Sequence, residues 1–347
     1  MAILKSQILQ YIRKRGRFTS AELMEKFDVS RQAVHRHLQA FLREGAIIRQ
    51  GSSRRTAFYI FNSPEARTRT AAKAKSFSKR IKAKGASEDR ILADLQSQEG
   101  LLAGLSENAL ANLQYSFTEM LNNAIDHSGS QFIDTEVSSD RGACSFTVRD
   151  MGVGVFANIM KRLSLASEME AIEDLLKGKQ TTQPDRHSGE GIFFTSKIAD
   201  RFVLESHGKR LIVDNRISDV FLEDIRFLKG TRVLFEIEAD SKRKLADLFA
   251  EYTSEEFKFD RTKVTVKLFE SGESYVSRSQ AKRLLHSLER FKEVMLDFSD
   301  VVGVGQAFAD EIFRVFHAEH PGIRIEPMDM SENVDFMVRR ALAAREK

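Results

Sequence analysis

The chain of 347 residues holds one cysteine, Cys144, so it can close no internal disulfide and offers no cysteine set for a metal. Cys144 lies inside an apolar run, Ala143 to Val148, and reads as a small core residue of a strand rather than a redox group. No apolar run approaches membrane-spanning length. The segment MAILKSQILQYIRKRG places its basic residues after its apolar ones, the reverse of a secretion signal, so a cytoplasmic protein is expected. His35 and His37 lack a third spaced ligand, which makes them helix-surface histidines rather than a metal site. The length exceeds what one hydrophobic core usually serves, and two or three domains are expected.

Charge is the first positive signal. The net charge of +4 comes from 54 basic and 50 acidic residues, but they are unevenly placed. Residues 1–84 hold 20 Lys/Arg and 5 Asp/Glu, or +15, whereas the remainder holds 34 and 45, or −11. A polyanion is therefore expected at the N-terminal end.

The local pattern narrows that polyanion to DNA. Ile3, Ile8, Leu9 and Ile12 recur at helical spacing, Thr19-Ser20 starts a short helix SAELMEKF, and Ser30 caps a longer helix that ends at Gly45. Two strand-like runs, AIIRQ and TAFYIF, follow around GSSRR. FTSAELMEKFDVSRQAVHRHLQAFLREGAIIRQGS resembles the winged helix-turn-helix family of bacterial repressors. The resemblance places Ser30, Arg31, Gln32, His35 and Arg36 against bases or phosphates of double-stranded DNA, with Arg54 and Arg55 on the wing tip. It also favours a homodimer.

A second constellation occupies the middle of the chain. Glu119 and Asn123 in FTEMLNNAIDHS stand one helical turn apart, offering a carboxylate for a water and an amide oxygen for magnesium. Asp150 closes the strand-like run in VRDMGVGV, where a carboxylate can accept the exocyclic amine of adenine. Gly152 and Gly154 let backbone approach a flat ring or phosphate, and Gly189 and Gly191 precede an apolar helix-like run whose free amides can face phosphate oxygens. In order and spacing these runs resemble the gyrase, Hsp90, histidine-kinase and MutL (GHKL) superfamily of ATP-binding domains, over roughly residues 100–240. Gly230-Thr231, which opens TRVLFEIE, agrees with it.

The resemblance implies ATP and Mg2+ as cofactors. Glu119 becomes the general base, Asn123 the metal ligand, Asp150 the adenine reader, and Thr231 a hydroxyl beside adenine. Gly152, Gly154, Gly189 and Gly191 shape the phosphate loop. The stretch Val155 to Ser188 fits a mobile lid, from which Lys177, Lys179 and Arg186 are candidates to reach the γ-phosphate.

Beyond about Asp240 strand-like and helix-like runs alternate, with the strand ending at Asp297 expected to be central and buried. VMLDFSDVVGVGQAFADEIFRVF resembles the STAS-like domains related to anti-sigma-factor antagonists, so a protein partner is implied for this part. Gly303-Val304-Gly305 stands where antagonists carry a phosphorylatable hydroxyl, which makes Ser299 a structural hydroxyl.

The expected fold class is α+β multidomain: a winged helix over 1–62, a basic linker over 63–90, a central GHKL α/β sandwich over 91–240 and a STAS-like α/β domain over 257–347. The expected function is an ATP-binding, slowly hydrolysing transcriptional regulator whose nucleotide state controls domain packing and DNA binding. The alternative is an anti-sigma-type serine/threonine kinase acting on a STAS partner. A histidine kinase is disfavoured, since no His-Glu or His-Asp helix precedes Glu119.

Overall fold

A computed structural model describes residues 2–15, 17–27, 29–50, 58–61, 75–140, 142–178, 190–253, 259–266 and 275–344. Three hydrophobic cores follow one another along the chain. No helix among the described residues is long and apolar enough to cross a membrane.

The first unit contains α1 (Ala2–Arg15), β1 (Arg17–Phe18), α2 (Ser20–Phe27), α3 (Arg31–Arg43), β2 (Ile47–Gln50) and β3 (Phe58–Phe61). Reciprocal bonds set the start of α2: Thr19 N–H donates to Glu22 at 2.7 Å and Glu22 N–H donates to Thr19 Oγ1 at 3.2 Å. Ser30 Oγ accepts from Ala33 N–H at 3.3 Å and starts α3. Ile8, Ile12, Phe18, Leu23, Val34, Leu38 and Phe41 bury together beneath the three-stranded sheet β1-β3-β2. The helix-turn-helix and hairpin read from the sequence are both present.

The second unit is built on an antiparallel sheet in the order β4-β5-β6-β8-β7. Its strands are β4 (Lys75–Lys82), β5 (Phe132–Asp140), β6 (Ala143–Asp150), β7 (Arg201–Asp214) and β8 (Asp219–Glu238). Its helices are α4 (Glu88–Gln96), α5 (Glu107–His127), α6 (Val155–Leu163), α7 (Glu168–Lys177) and α8 (Gly191–Ile198). Alternation in β6 sends Cys144, Phe146 and Val148 into the core, where Phe146 stacks on Phe235 at 4.9 Å and meets the edge of Phe117 at 5.4 Å. Burial pushes the Cys144 thiol up to about 11, as befits an inert core group.

Two expectations are corrected here. The basic stretch 63–90 is not a linker from Lys75 onward: β4 pairs with β5 from Lys75 opposite Ser139 to Lys82 opposite Phe132. Only Phe77 and Ile81 carry its apolar period, so lysines hide a strand in the sequence. Those lysines suit an edge strand, which needs protection from further pairing. The expected lid is in large part packed helix, because Phe156 and Ile159 of α6 and Ala171, Ile172 and Leu175 of α7 are buried in the main core.

The third unit has a parallel sheet β11-β10-β9 made of β9 (Arg261–Thr265), β10 (Glu293–Asp297) and β11 (Arg324–Met328). The strand ending at Asp297 is central, as expected. Around it lie α9 (Leu245–Tyr252), α10 (Arg278–Leu285), α11 (Gln306–Asp310, continuing through a π-helical turn Glu311–Phe316) and α12 (Glu332–Ala343). Ser299 Oγ donates to Asp297 Oδ1 at 2.6 Å, the structural role read from the sequence.

The second and third units share aromatic residues. Phe193 and Phe194, on α8, sit in the C-terminal core against Phe249, Tyr252 and Phe259, with ring centroids 4.3–6.2 Å apart.

Candidate functional site

Helix α5 organises the central site. Ser106 caps it, its Oγ accepting from Ala109 N–H at 3.2 Å, and Leu113, Phe117, Met120, Leu121 and Ala124 bury one face against the sheet. Glu119 and Asn123 fall on the half-buried flank beside that face. Glu119 Oε2 lies so close to the start of α8 that a Cβ on Gly191 would overlap it. A side chain at position 191 could not share this space with the carboxylate beside the helix start. Burial, and then the Glu119 and Glu190 carboxylates, push the Tyr115 hydroxyl far above its ordinary range, so two acids converge near that helix start.

The Asn123 amide stands on the same helix. Its Nδ2 is buried and has no hydrogen-bond partner among the described residues. An unmet buried polar atom costs about 1–3 kcal/mol, which a ligand's acceptor at this position would offset.

A second knot forms where β6 ends. Asp150 is 4% exposed, and its Oδ1 accepts from Gly152 N–H at 2.8 Å and Thr231 N–H at 3.3 Å. Burial raises its carboxyl above the ordinary value, and the bonds from Gly152 and Thr231 oppose that rise. Gly230 runs at φ +79°, and a Cβ there would come 2.7 Å from Asp150 Oδ1. Thr231 Oγ1 accepts from Val155 N–H at 3.0 Å and so ties β8 to the start of α6, which Gly154 caps.

Ser128, the C-terminal cap of α5, joins the two knots. Its carbonyl accepts from Val153 N–H at 2.9 Å, and a Cβ on Gly152 would overlap that carbonyl oxygen. One helix therefore carries Glu119 and Asn123 in its C-terminal half and pins the Gly152 loop at its end. The sequence reading missed Ser128, Ser206 (whose Oγ donates to Gly230 O at 2.8 Å), Tyr115 and Glu190. The HSGS turn is the one signal that could have flagged Ser128.

Three candidates, Lys179, Arg186 and Gly189, lie outside the described residues. Lys177 does not point toward a phosphate. It is buried, and its ammonium donates to the carbonyls of His286 at 2.8 Å and Arg283 at 3.3 Å, fastening α7 to the C-terminal unit. Burial lowers its pKa to about 8.

On the N-terminal unit Ser30 caps α3, Arg31 begins it, and Gln32 and Arg36 are exposed. His35 departs from the expected nucleic-acid face. It is 8% exposed and stacks on Phe221 of β8 with ring centroids 3.5 Å apart, because an aromatic surface covers that flank of the helix. Arg54 and Arg55 lie outside the described residues.

Family models match three parts of the chain: an HTH domain at residues 5–52, a histidine kinase-like ATPase domain at 83–215, and a STAS-like domain of unknown function (DUF4325) at 280–335. No curated protein matches the chain. The first match points to a DNA-binding regulator and the second to ATP binding. The polypeptide thus joins an HTH domain, a histidine kinase-like ATPase domain and a STAS-like domain in one α+β multidomain architecture.

Proposed function

We propose that the protein is an ATP-binding transcriptional regulator that hydrolyses ATP slowly and whose nucleotide state controls its domain packing and its hold on double-stranded DNA. The observation that carries this reading is the buried Asn123 Nδ2, without a hydrogen-bond partner among the described residues, one turn from Glu119 on the helix that also pins the Gly152 loop. Turning an amide about its last bond exchanges its oxygen and nitrogen, so the same pocket suits an Asn123 oxygen directed at magnesium. A carboxylate, an amide and glycine-lined backbone form a donor set that fits Mg2+ and a triphosphate.

In this reading Asp150 accepts the adenine amine and Thr231 lies beside the ring. Gly152, Gly154, Gly189 and Gly191 keep the backbone open to phosphate. Magnesium, when bound, offsets the charge of the phosphate oxygens. Glu119 orients the attacking water and takes its proton, and Lys179 and Arg186 add positive charge at the γ-phosphate. Ser30, Arg31, Gln32, Arg36, Arg54 and Arg55 contact DNA, with a homodimer reading paired half-sites.

Helix α8 supports the coupling. It begins at the Glu119 carboxylate, and its Phe193 and Phe194 are embedded in the STAS-like core, so a displacement of its N-terminus must repack the C-terminal unit. The decisive test is calorimetric titration of the full chain with ATP and Mg2+. Saturable binding that Asp150→Ala abolishes is expected, and equal binding by the variant would place the nucleotide elsewhere.

A further inference from the structure

We propose that the open face of the ATPase-type sheet is a docking surface for the DNA-reading helix, so that the sheet and a DNA duplex compete for one flank of α3. The inference rests on the reading that α3 reads DNA, and it adds that DNA binding requires the helix to leave the sheet.

The helix has two faces. Val34, Leu38 and Phe41 bury in the N-terminal core. The other flank carries Gln32, His35, Arg36, Gln39 and Arg43, which contains the side chains a recognition helix uses. Three of these, spaced four residues apart, lean on the sheet. His35 stacks on Phe221 at 3.5 Å with rings 3° from parallel, and Gln39 Oε1 accepts from Arg201 Nη2 at 3.0 Å. Arg43 and Gln39 roof a cavity of about 300 Å³ floored by Arg201, Glu205, Ile212 and Arg232. A recognition helix must enter a major groove about 12 Å wide, and a sheet lying against this flank excludes the duplex.

The receiving surface is built for contact. Val203, Ile212 and Phe221 form a small apolar cluster separate from the main core. The arginines around it are matched within the sheet: Arg210 bonds Glu205 at 2.5 Å and Glu223 at 2.8 Å, and Arg232 pairs with Glu205 at 2.5 Å. Neutralised in this way, the face accepts a helix from the strongly basic part of the chain without like-charge repulsion.

The contact is also built to open. His35 Nε2 and Arg201 Nε are buried there without a hydrogen-bond partner among the described residues, and the cavity leaves α3 incompletely packed. Separation returns both polar atoms to water and so removes their desolvation cost.

The test is fluorescence anisotropy of the full chain with a mixed-sequence duplex of about 30 base pairs at fixed low salt. Phe221→Ala and Arg201→Ala lie outside every assigned DNA or nucleotide contact. Each is expected to bind DNA at least about tenfold more tightly than the parent. To separate release from misfolding, Gln39→Cys with Arg201→Cys is bridged by a short bis-maleimide carrying a reducible disulfide. The bridged protein should lose duplex binding and the same sample should regain it on reduction. Variants that bind no more tightly than the parent, or a bridged form that binds as well as the reduced one, overturn the docking proposal while leaving DNA reading intact. Absence of duplex binding by every form, including the released variants, removes the DNA reading itself and the competition with it.

Discussion

The Glu119 carboxylate occupies the space that a side chain at position 191 would need, so the acid and the start of α8 are mutually fitted. Gly191→Ala should turn the Glu119 carboxylate aside, at a stability cost of about 1 kcal/mol or less because the end of that side chain can move, and lower ATP affinity by about tenfold or more. Calorimetry and a thermal melt measure both effects, and unchanged affinity would separate the helix start from the phosphates. Glu119→Ala is expected to behave differently. It relieves the crowding, keeps ATP bound, and slows phosphate release by roughly 10²–10⁴-fold if Glu119 is the base.

Asp150→Asn sets function against stability. The Oδ1 of an asparagine can still accept from Gly152 and Thr231 N–H, but the charge that burial penalises is gone. The Asp150 pKa is raised in the fold, so the folded state holds its proton more firmly than the unfolded chain. The carboxyl consequently favours the fold at low pH and costs stability as pH climbs past its ordinary value. Asp150→Asn should therefore melt higher than the parent near neutral pH, with the difference vanishing in acid. ATP affinity should fall about 10–100-fold as the charged acceptor for the adenine amine is lost. A parent that melts higher than the variant at neutral pH would contradict this account of the buried charge.

Phe193→Ala tests the route from the pocket to the C-terminal unit. The ring is 2% exposed among Phe194, Tyr252 and Phe259, and its truncation should cost about 3–5 kcal/mol. Amide exchange in β9 and β10 should accelerate although neither strand contains the mutation. Acceleration confined to α8 would show that the two units are not mechanically joined there.

The helix-turn-helix was legible because caps, spacing and charge all agreed: Ser30, Val34, Leu38 and Phe41 specify a start and a buried face unaided. The turn at the end of β6 was legible for a similar reason in Asp150, Gly152 and Gly154, whose types are tied to local backbone demands. What the sequence hid depends on distant partners. β4 hid behind lysines because its pairing with β5 is formed across fifty or more residues. Lys177 looked like a lid cation because nothing nearby announces the carbonyls of Arg283 and His286. His35 looked exposed because Phe221 lies far along the chain, and no helical periodicity encodes which second surface a polar flank will meet.

The buried His35 supplies a pH dependence with a definite sign. Burial, and secondarily the Arg201 and Arg216 charges, lower its pKa from 6.5 to about 4 against the opposing pull of Asp214 and Glu223. The docked state thus binds fewer protons than the released one between those values. Docking is favoured most above pH 6.5 and weakens as pH falls toward 4. One unit below 6.5 the released form should gain about tenfold, the equivalent of one pKa unit of proton uptake. Because a charged His35 would also attract phosphate, the measurement must not use DNA. Spin labels at the exposed positions Gln32→Cys and Glu136→Cys report the separation of α3 from the sheet directly, and buried Cys144 stays unlabelled. Acid should lengthen that distance in the parent, and His35→Gln should remove the transition. A distance that ignores pH in both proteins would mean that the ring is not what holds the helix down.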